Sequence, residues 1–450
     1  MEPNKKYRST LRIRTDEDTI RLISTLGTPS LQNWKEIVED YLYILRKRFD
    51  NKLSIFYLQT NLLRDIISVE SSIEMYREIL KSPSNSVKYG GPINVSNEQL
   101  KFWEDELLRD QLILGALKSI GNAVMWKVLE FNGSLIYLNS LNASSGIYNL
   151  DAGIKNELYE LGDIVMDFDI KHFVYNAITT NARIGDFIIR KENGKIEFIE
   201  LKSKENTRGV KWNERKKRQV ARLNNLDQFA NTGKGVFKEM ELTLKEISEK
   251  PELFIDDLGI LIKEAKVKGI ASKLFTSYSG VIVTYPLVEY SLKLHEEHEM
   301  KLKKQIVSDK EQEQVMAIID SFIFAENSDI ITPITIYPFS PKIISEILFG
   351  NIIISYFFNY KRFLNKLEKR GFFIEESVLE KERKDSKDFC FKMSKNDFTF
   401  SIPPAMMNRV IIEGMSLDTF CNIYETVRKS VDKKNYIILT NFSKEKEIWK

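Results

Sequence analysis

Cysteine is almost missing from this chain of 450 residues, which has Cys390 and Cys421 and no others. Two thiols are too few for a disulfide framework or a zinc site, and they fit a reducing, cytoplasmic setting. Long apolar runs are missing as well. No segment reaches the roughly 18 uninterrupted apolar residues of a membrane helix, so no membrane partner is expected. The nearest approach, around Ile352–Phe358, is short and follows Glu346 and Asn351, so it reads as a buried element. The first residues, Met-Glu-Pro-Asn-Lys-Lys, have no apolar export core, and no signal peptide is expected. Neither sign of charge dominates, with 67 Lys and Arg against 64 Asp and Glu, so no global field points to a polyanionic partner. No internal repeat or low-complexity tract is found.

What is present suffices for packed cores, since 43% of the residues are hydrophobic. The length suggests two or three domains. Residues 1–96 read as a helical N-terminal region, with apolar positions at helical spacing from Trp34 and again from Leu62 to Ile79. Ser82–Asn97 is dense in turn formers and marks a boundary. A helix is predicted from about Asn97, and Phe131–Leu138 suggests a turn and a strand; both belong to a central domain, 97–250. Residues 251–450 read as an α+β region. Gly280–Pro286 is a predicted buried strand and Val288–Ala325 a charged helical stretch. Helices are predicted around Pro341–Leu367 and Ser416–Val431, with strands near Phe389–Met393, Phe398–Ile402 and Ile437–Thr440.

The most informative stretch is Ile184–Lys202, two short apolar runs joined by Asn193-Gly194. Glu200 and Lys202 are two apart on a strand and leave the same face. Whether Asp186 joins them depends on register, because a slip of one residue reverses every side chain. A two-residue loop would pair Glu192 with Lys195 and set Asp186 opposite Leu201, separating the acids. A three-residue loop, Glu192-Asn193-Gly194 with Gly194 left-handed, pairs Lys191 with Lys195 and sets Asp186 opposite Glu200. The second register is predicted. Two carboxylates at a strand end suit one or two Mg²⁺ ions, which favour hard oxygen ligands and also bind substrate phosphates. A nearby lysine suits the orientation of an attacking water or the charge that develops on phosphorus.

Gly185-Asp186, thirteen intervening residues and Glu200-Leu-Lys202 resemble the signature of the PD-(D/E)xK nuclease superfamily, with glycine in place of the signature proline. The resemblance implies an α/β fold, α+β overall, with a restriction-endonuclease-like mixed sheet flanked by helices. It implies Mg²⁺ or Mn²⁺ as cofactor, with Asp186 and Glu200 as metal ligands and Lys202 beside the nucleophile. It also implies an acid from an upstream helix, here Glu157 with Glu160 in reserve, and a downstream Gln or Lys, here Gln219. The matched region runs from about Glu157 to Phe229, a minority of the chain. On the downstream helix, Val220, Leu223 and Leu226 stand at helical spacing.

Between Leu201 and Val220 the chain has eight Lys or Arg against Glu205 and Glu214. Lys204, Arg208, Lys211, Arg215, Lys216 and Arg218, together with Arg222, are the candidate nucleic-acid contacts. A solvated helix face is the ordinary reading of such a run. Trp212 is a candidate for stacking on a base or for anchoring a core. The expected partner is nucleic acid, DNA rather than RNA, and anti-phage defence or restriction is the biology that the resemblance suggests. A homo-oligomer or a partner protein through either terminal region is also expected. The competing classes are a catalytically inactive binding or scaffold protein of the same fold and an RNA nuclease. Three other motifs are set aside. His295 and His298 are three apart rather than four and read as a charged helix surface. Asn231–Gly235 lacks the spacing of a phosphate loop. With three histidines in all and no evident partner for His172, a histidine-based nuclease is not expected.

Overall fold

The computed structural model describes residues 29–92, 94–140, 161–180, 184–200, 210–237, 240–285, 289–306, 316–320, 332–376, 391–396, 398–402, 404–429, 436–442, 444, 447 and 448. The described residues form a mixed helix-and-sheet protein, α+β, in two compact units. One takes in residues 17–246, 333–345 and 431–450, and the other residues 247–332 and 346–430. The helices on both sides of position 96, where the sequence suggested a boundary, lie together in the first of these.

That first unit is built on helices α1 (Pro29–Lys47), α2 (Lys52–Lys81) and α3 (Asn97–Val128). Asn51 caps α2 by accepting the Ser54 N–H. Ser96 and Gln99 form a reciprocal capping box that starts α3 at the predicted place. From Leu112 to Val128 nearly every residue of α3 is buried, the mark of a central helix surrounded by protein. It lies antiparallel to α2: Glu70 pairs with Lys118, while Tyr76, further along α2, meets Glu106, earlier on α3.

A short helix, α4 (Gly133–Ser140), stands where a strand was predicted. Asn132 Oδ1 accepts the Leu135 N–H and so starts a helix. Leu135, Ile136 and Leu138 are all buried, so the segment is apolar around its circumference and carries no helical period to read.

Strands β1 (Ile170–Tyr175), β2 (Phe187–Lys191) and β3 (Ile196–Ile199) form an antiparallel sheet in that order. Phe187, Ile188 and Ile189 of the middle strand are buried on both faces, and Phe187 stacks on Tyr175 with ring centroids 5.1 Å apart. Burying each such side chain contributes about 1.5–3 kcal/mol. Helix α5 (Val210–Thr232) follows and leads into β4 (Lys234–Phe237), which pairs with β5 (Met240–Ile247). Leu223 and Leu226 of α5 are buried as the spacing predicts, whereas Val220 is 42% exposed. Strand β13 (Tyr436–Phe442) completes the β13-β5-β4 sheet.

The second unit holds α6 (Ile255–Lys268), β6 (Ile270–Leu274), β7 (Ser279–Thr284), α7 (Glu289–Ile306), β8 (Met316–Asp320) and β9 (Ile353–Asn359). Its four-stranded sheet has the order β6-β7-β9-β8, every pair antiparallel. Two corrections fall here. Residues 316–320 are a strand inside a stretch predicted as helix, and β9 interrupts the predicted Pro341–Leu367 helices, leaving α8 (Pro341–Leu348) and α9 (Tyr360–Lys369) on either side. Ile352, Ile353 and Ile354 are β-branched and crowd a helix, so a continuous apolar run there prefers the sheet. The predicted buried strand near Gly280 is β7. A second sheet, β10 (Phe373–Glu376), β11 (Phe391–Lys395) and β12 (Phe398–Ile402), and helices α10 (Pro404–Ile412) and α11 (Leu417–Arg428) follow; β11, β12 and α11 lie close to predicted spans, whereas β10 and α10 were not predicted. No described helix is long and apolar enough to cross a membrane.

Candidate functional site

The β2–β3 hairpin has the predicted three-residue loop. Lys191 N–H donates to Lys195 O at 2.8 Å, Gly194 N–H donates to Lys191 O at 2.9 Å, and Gly194 takes a left-handed φ of 84°. Pairing then runs from Arg190–Ile196 through Phe187–Ile199, so the next positions along the two strands are Asp186 and Glu200. Both are partly buried.

Asp186 leaves the ladder at this point. Its N–H donates to Ile199 O at 2.6 Å, while its C=O accepts the Asn176 N–H at 2.9 Å, so the two groups point to opposite neighbours. Asp186 and Phe187 thus both stand against Ile199. That is a bulge at the sheet end, a device that re-aims a side chain. Gly185 just before it has φ of 81°, a value closed to proline, whose ring holds φ near −65°. A Cβ there would lie 2.8 Å from Ile199 O and 3.2 Å from Leu223 Cδ2. The departure from a Pro-Asp dipeptide therefore has a local cause: the chain turns through a left-handed residue pressed between β3 and α5.

Helix α5 runs along the open edge of β3. Asn231 Oδ1 accepts the Ile196 N–H at 3.0 Å, Asn231 Nδ2 donates to Ile196 O at 2.7 Å, and Asp227 Oδ1 accepts the Phe198 N–H at 2.8 Å. Burial is the largest influence on the Asp227 carboxyl and pushes its pKa up. Four residues of helix climb about 6 Å and two residues of strand about 6.6 Å, so helix and edge keep step. The next step brings Leu223 level with the Gly185–Glu200 end, in agreement with its contact to Gly185. The N-terminal half of α5, with Lys211, Arg215, Lys216, Arg218 and Gln219, continues in that direction; the backbone of these residues is helical. Arg222 is exposed. Glu157, Lys202, Lys204 and Arg208 lie outside the described residues, as does Glu160, although residues 161–166 just beyond are helical.

Two amides that the sequence did not single out hold the turn before Asp186. Asn176 opens a short 3-10 turn after β1, and its Nδ2 donates to Ile184 O at 3.0 Å and to Gly185 O at 2.8 Å. Asn139 of α4 accepts the Ile184 N–H at 3.1 Å. Both are buried. The signal available in the sequence was an amide inside an apolar run, Val174–Ile178 and Leu135–Asn139, where a polar side chain has a reason to be.

The histidines have other partners. His172 Nε2 lies 3.0 Å from Asp50 Oδ1 and its ring packs on Phe49, with burial lowering its pKa. His295 and His298 are on helix α7, where the sequence put a charged surface, but both are part-buried. Their Nδ1 atoms meet two different hydroxyls, Thr284 Oγ1 at 2.8 Å and Ser272 Oγ at 2.7 Å, so they do not converge on one ligand. Burial lowers both pKa values and favours the neutral rings. Among the described residues no three His, Cys, Asp or Glu side chains gather as a metal cluster. Comparison of the chain with family models, curated proteins and solved structures found no match.

Proposed function

We propose that the chain is a metal-dependent nuclease of the PD-(D/E)xK kind, hydrolysing phosphodiester bonds of DNA, with a role in anti-phage defence. One observation carries this reading: the hairpin register that brings Asp186 and Glu200 to the same end of adjacent strands. The order of elements along the chain supports a restriction-endonuclease-like core, with helical residues at 161–166, three antiparallel strands, helix α5 and then β4 of a separate sheet.

Two carboxylates at neighbouring positions are hard oxygen donors and suit Mg²⁺ or Mn²⁺, with Glu157 as a third acid. A divalent ion held there supplies positive charge that favours ionised water and offsets the charge developing on phosphorus. The chain's own groups do the rest. Lys202, two residues beyond Glu200, orients the attacking water through its ammonium. Gln219, one helical turn before Leu223 on α5, supports that water or the substrate. Lys204, Arg208, Lys211, Arg215, Lys216, Arg218 and Arg222 neutralise phosphates, so binding weakens steeply with salt.

The test is incubation of the full chain with single- and double-stranded DNA and RNA, with Mg²⁺, Mn²⁺ or chelator. Wild type should cut DNA with metal, and Asp186→Ala or Lys202→Ala should lose activity by roughly 100-fold or more, the scale of losing one group that stabilises developing charge. Variants that cut at the wild-type rate would sink the site. Salt-sensitive binding that ignores chelator, without cleavage of any polymer, would favour an inactive binding protein instead.

A further inference from the structure

We infer that Asn176 is a positioning residue for Asp186, an inference that rests on the nuclease reading. Three successive carbonyls, those of Ile184, Gly185 and Asp186, accept hydrogen bonds from this one residue, two from its Nδ2 and one from its backbone N–H. Both amide donors are thereby used. Its Oδ1 is buried and meets no partner among the described residues, an arrangement that costs about 1–3 kcal/mol. An apolar side chain would fill the same space without that loss, so packing alone does not account for an amide here.

The held segment has little remaining freedom. Ile184 has its C=O bound by Asn176 and its N–H bound by Asn139, from two different elements. Gly185 is pressed between Ile199 and Leu223. Asp186 is fixed at its N–H by Ile199 and at its C=O by Asn176. An aspartate side chain has two torsions, so its carboxylate goes where its backbone puts it. A productive ligand geometry tolerates only about 0.5 Å of error.

Asn176 is itself anchored to the helices. Thr179 N–H donates to its carbonyl at 3.0 Å, Lys118 Nζ donates to Ala177 O at 3.0 Å, and Gln59 Oε1 accepts the Tyr175 N–H at 2.7 Å. Helix α3 also passes so near that a Cβ on Gly121 would fall 1.9 Å from Ile178 O. A path of hydrogen bonds thus runs from α2 and α3 through Asn176 to the backbone of Asp186.

The test uses Asn176→Ala and Asn176→Asp in the full chain. Three quantities are measured: Mn²⁺ binding by the loss of the free-ion paramagnetic resonance signal, thermal unfolding without metal, and kcat and KM for DNA cleavage. Asn122→Ala is the control, because Asn122 is a buried amide that bonds Thr180. The expected result is a Mn²⁺ dissociation constant raised about 10- to 100-fold in both Asn176 variants, the usual effect of removing a group that orients a ligand. kcat should fall with KM little changed, while Asn122→Ala keeps the wild-type Mn²⁺ midpoint whatever its stability. A wild-type midpoint in Asn176→Ala, or an equal shift in Asn122→Ala, overturns the proposal. If Asn176→Ala does not fold, Asn176→Ser, whose hydroxyl keeps one donor, carries the same comparison. A wild type that takes up no Mn²⁺, or an Asp186→Ala that takes up as much as wild type, removes the nuclease reading itself and reduces Asn176 to a structural clamp.

Discussion

The three-stranded β1-β2-β3 sheet and the four-stranded β6-β7-β9-β8 sheet are both antiparallel, yet they hold themselves together differently. In the four-stranded sheet every residue of β7 and β9 is buried, and the packing is apolar, with Ile270, Ile282, Leu302, Ile306 and Phe357 in one cluster. Tyr278, Phe358 and Phe363 meet one another edge-on or tilted. Its buried Asn359 does a routine job, capping α9 through its Oδ1 and bonding Ile306 O through its Nδ2. In the smaller sheet, buried polar side chains gather at one end. Gln59, Lys118, Asn139 and Asn176 all bond backbone atoms of the short segments 173–177 and 184–186. A stable sheet does not need this. Burying amides costs free energy unless each finds partners, so their concentration at one turn marks where backbone position matters more than packing.

The contrast can be tested from its most costly element downwards. Phe357→Ala removes a ring that is 1% exposed in the apolar sheet and should cost about 3–5 kcal/mol in denaturant unfolding. A loss under about 1 kcal/mol would mean that this sheet does not rest on its core. Gly185→Ala forces a left-handed φ on a residue with a Cβ and drives that Cβ against Ile199 O, so a cost of about 1–3 kcal/mol is expected from the strain alone. If the melting temperature is unchanged, the turn before Asp186 is less constrained than its hydrogen bonds imply.

The smallest effect concerns Asp110 in the α2–α3 hairpin, where burial pushes the carboxyl up to about 6. The folded chain then holds that proton more tightly than the unfolded chain does. Its contribution to stability is complete below about pH 4 and is lost as the pH rises through about 6. Asp110→Asn, always neutral, should gain on wild type between those limits by on the order of 1–3 kcal/mol in unfolding measured at pH 4 and pH 7. Parallel pH profiles for the two proteins would remove Asp110 as the cause.

Much of this was legible in the chain itself. The Asn193-Gly194 pair announced a hairpin, and of its two possible loop lengths the three-residue one was predicted because it puts the two carboxylates and Lys202 on one surface. The capped start at Ser96 and the apolar faces of α2 and α5 were equally readable, because each rests on contacts a few residues apart. What was not readable depended on distant partners. Leu135–Leu138 is apolar on every side, so only its Asn132 cap and its surroundings make it a helix. Ile353 and Ile354 sit in β9 because β7 and β8 flank it. Val220 stands at the right spacing for the core, but α5 turns its buried stripe toward Leu223, Leu226 and Phe229. The part played by Asn176 was hidden for the same reason, since the carbonyls it binds are eight and nine residues further on.

The loop at 192–194 carries a consequence well away from itself. It lies roughly 20 Å along the strands from Asp186, at about 3.3 Å per residue, and contributes no acid of its own to that end. Yet closing the same residues with a two-residue loop would pair Glu192 with Lys195 and slide β3 by one place against β2 all the way to that end. The length of an exposed turn is therefore a remote control over which backbone positions come level at the far end, and it can be varied without altering either acid.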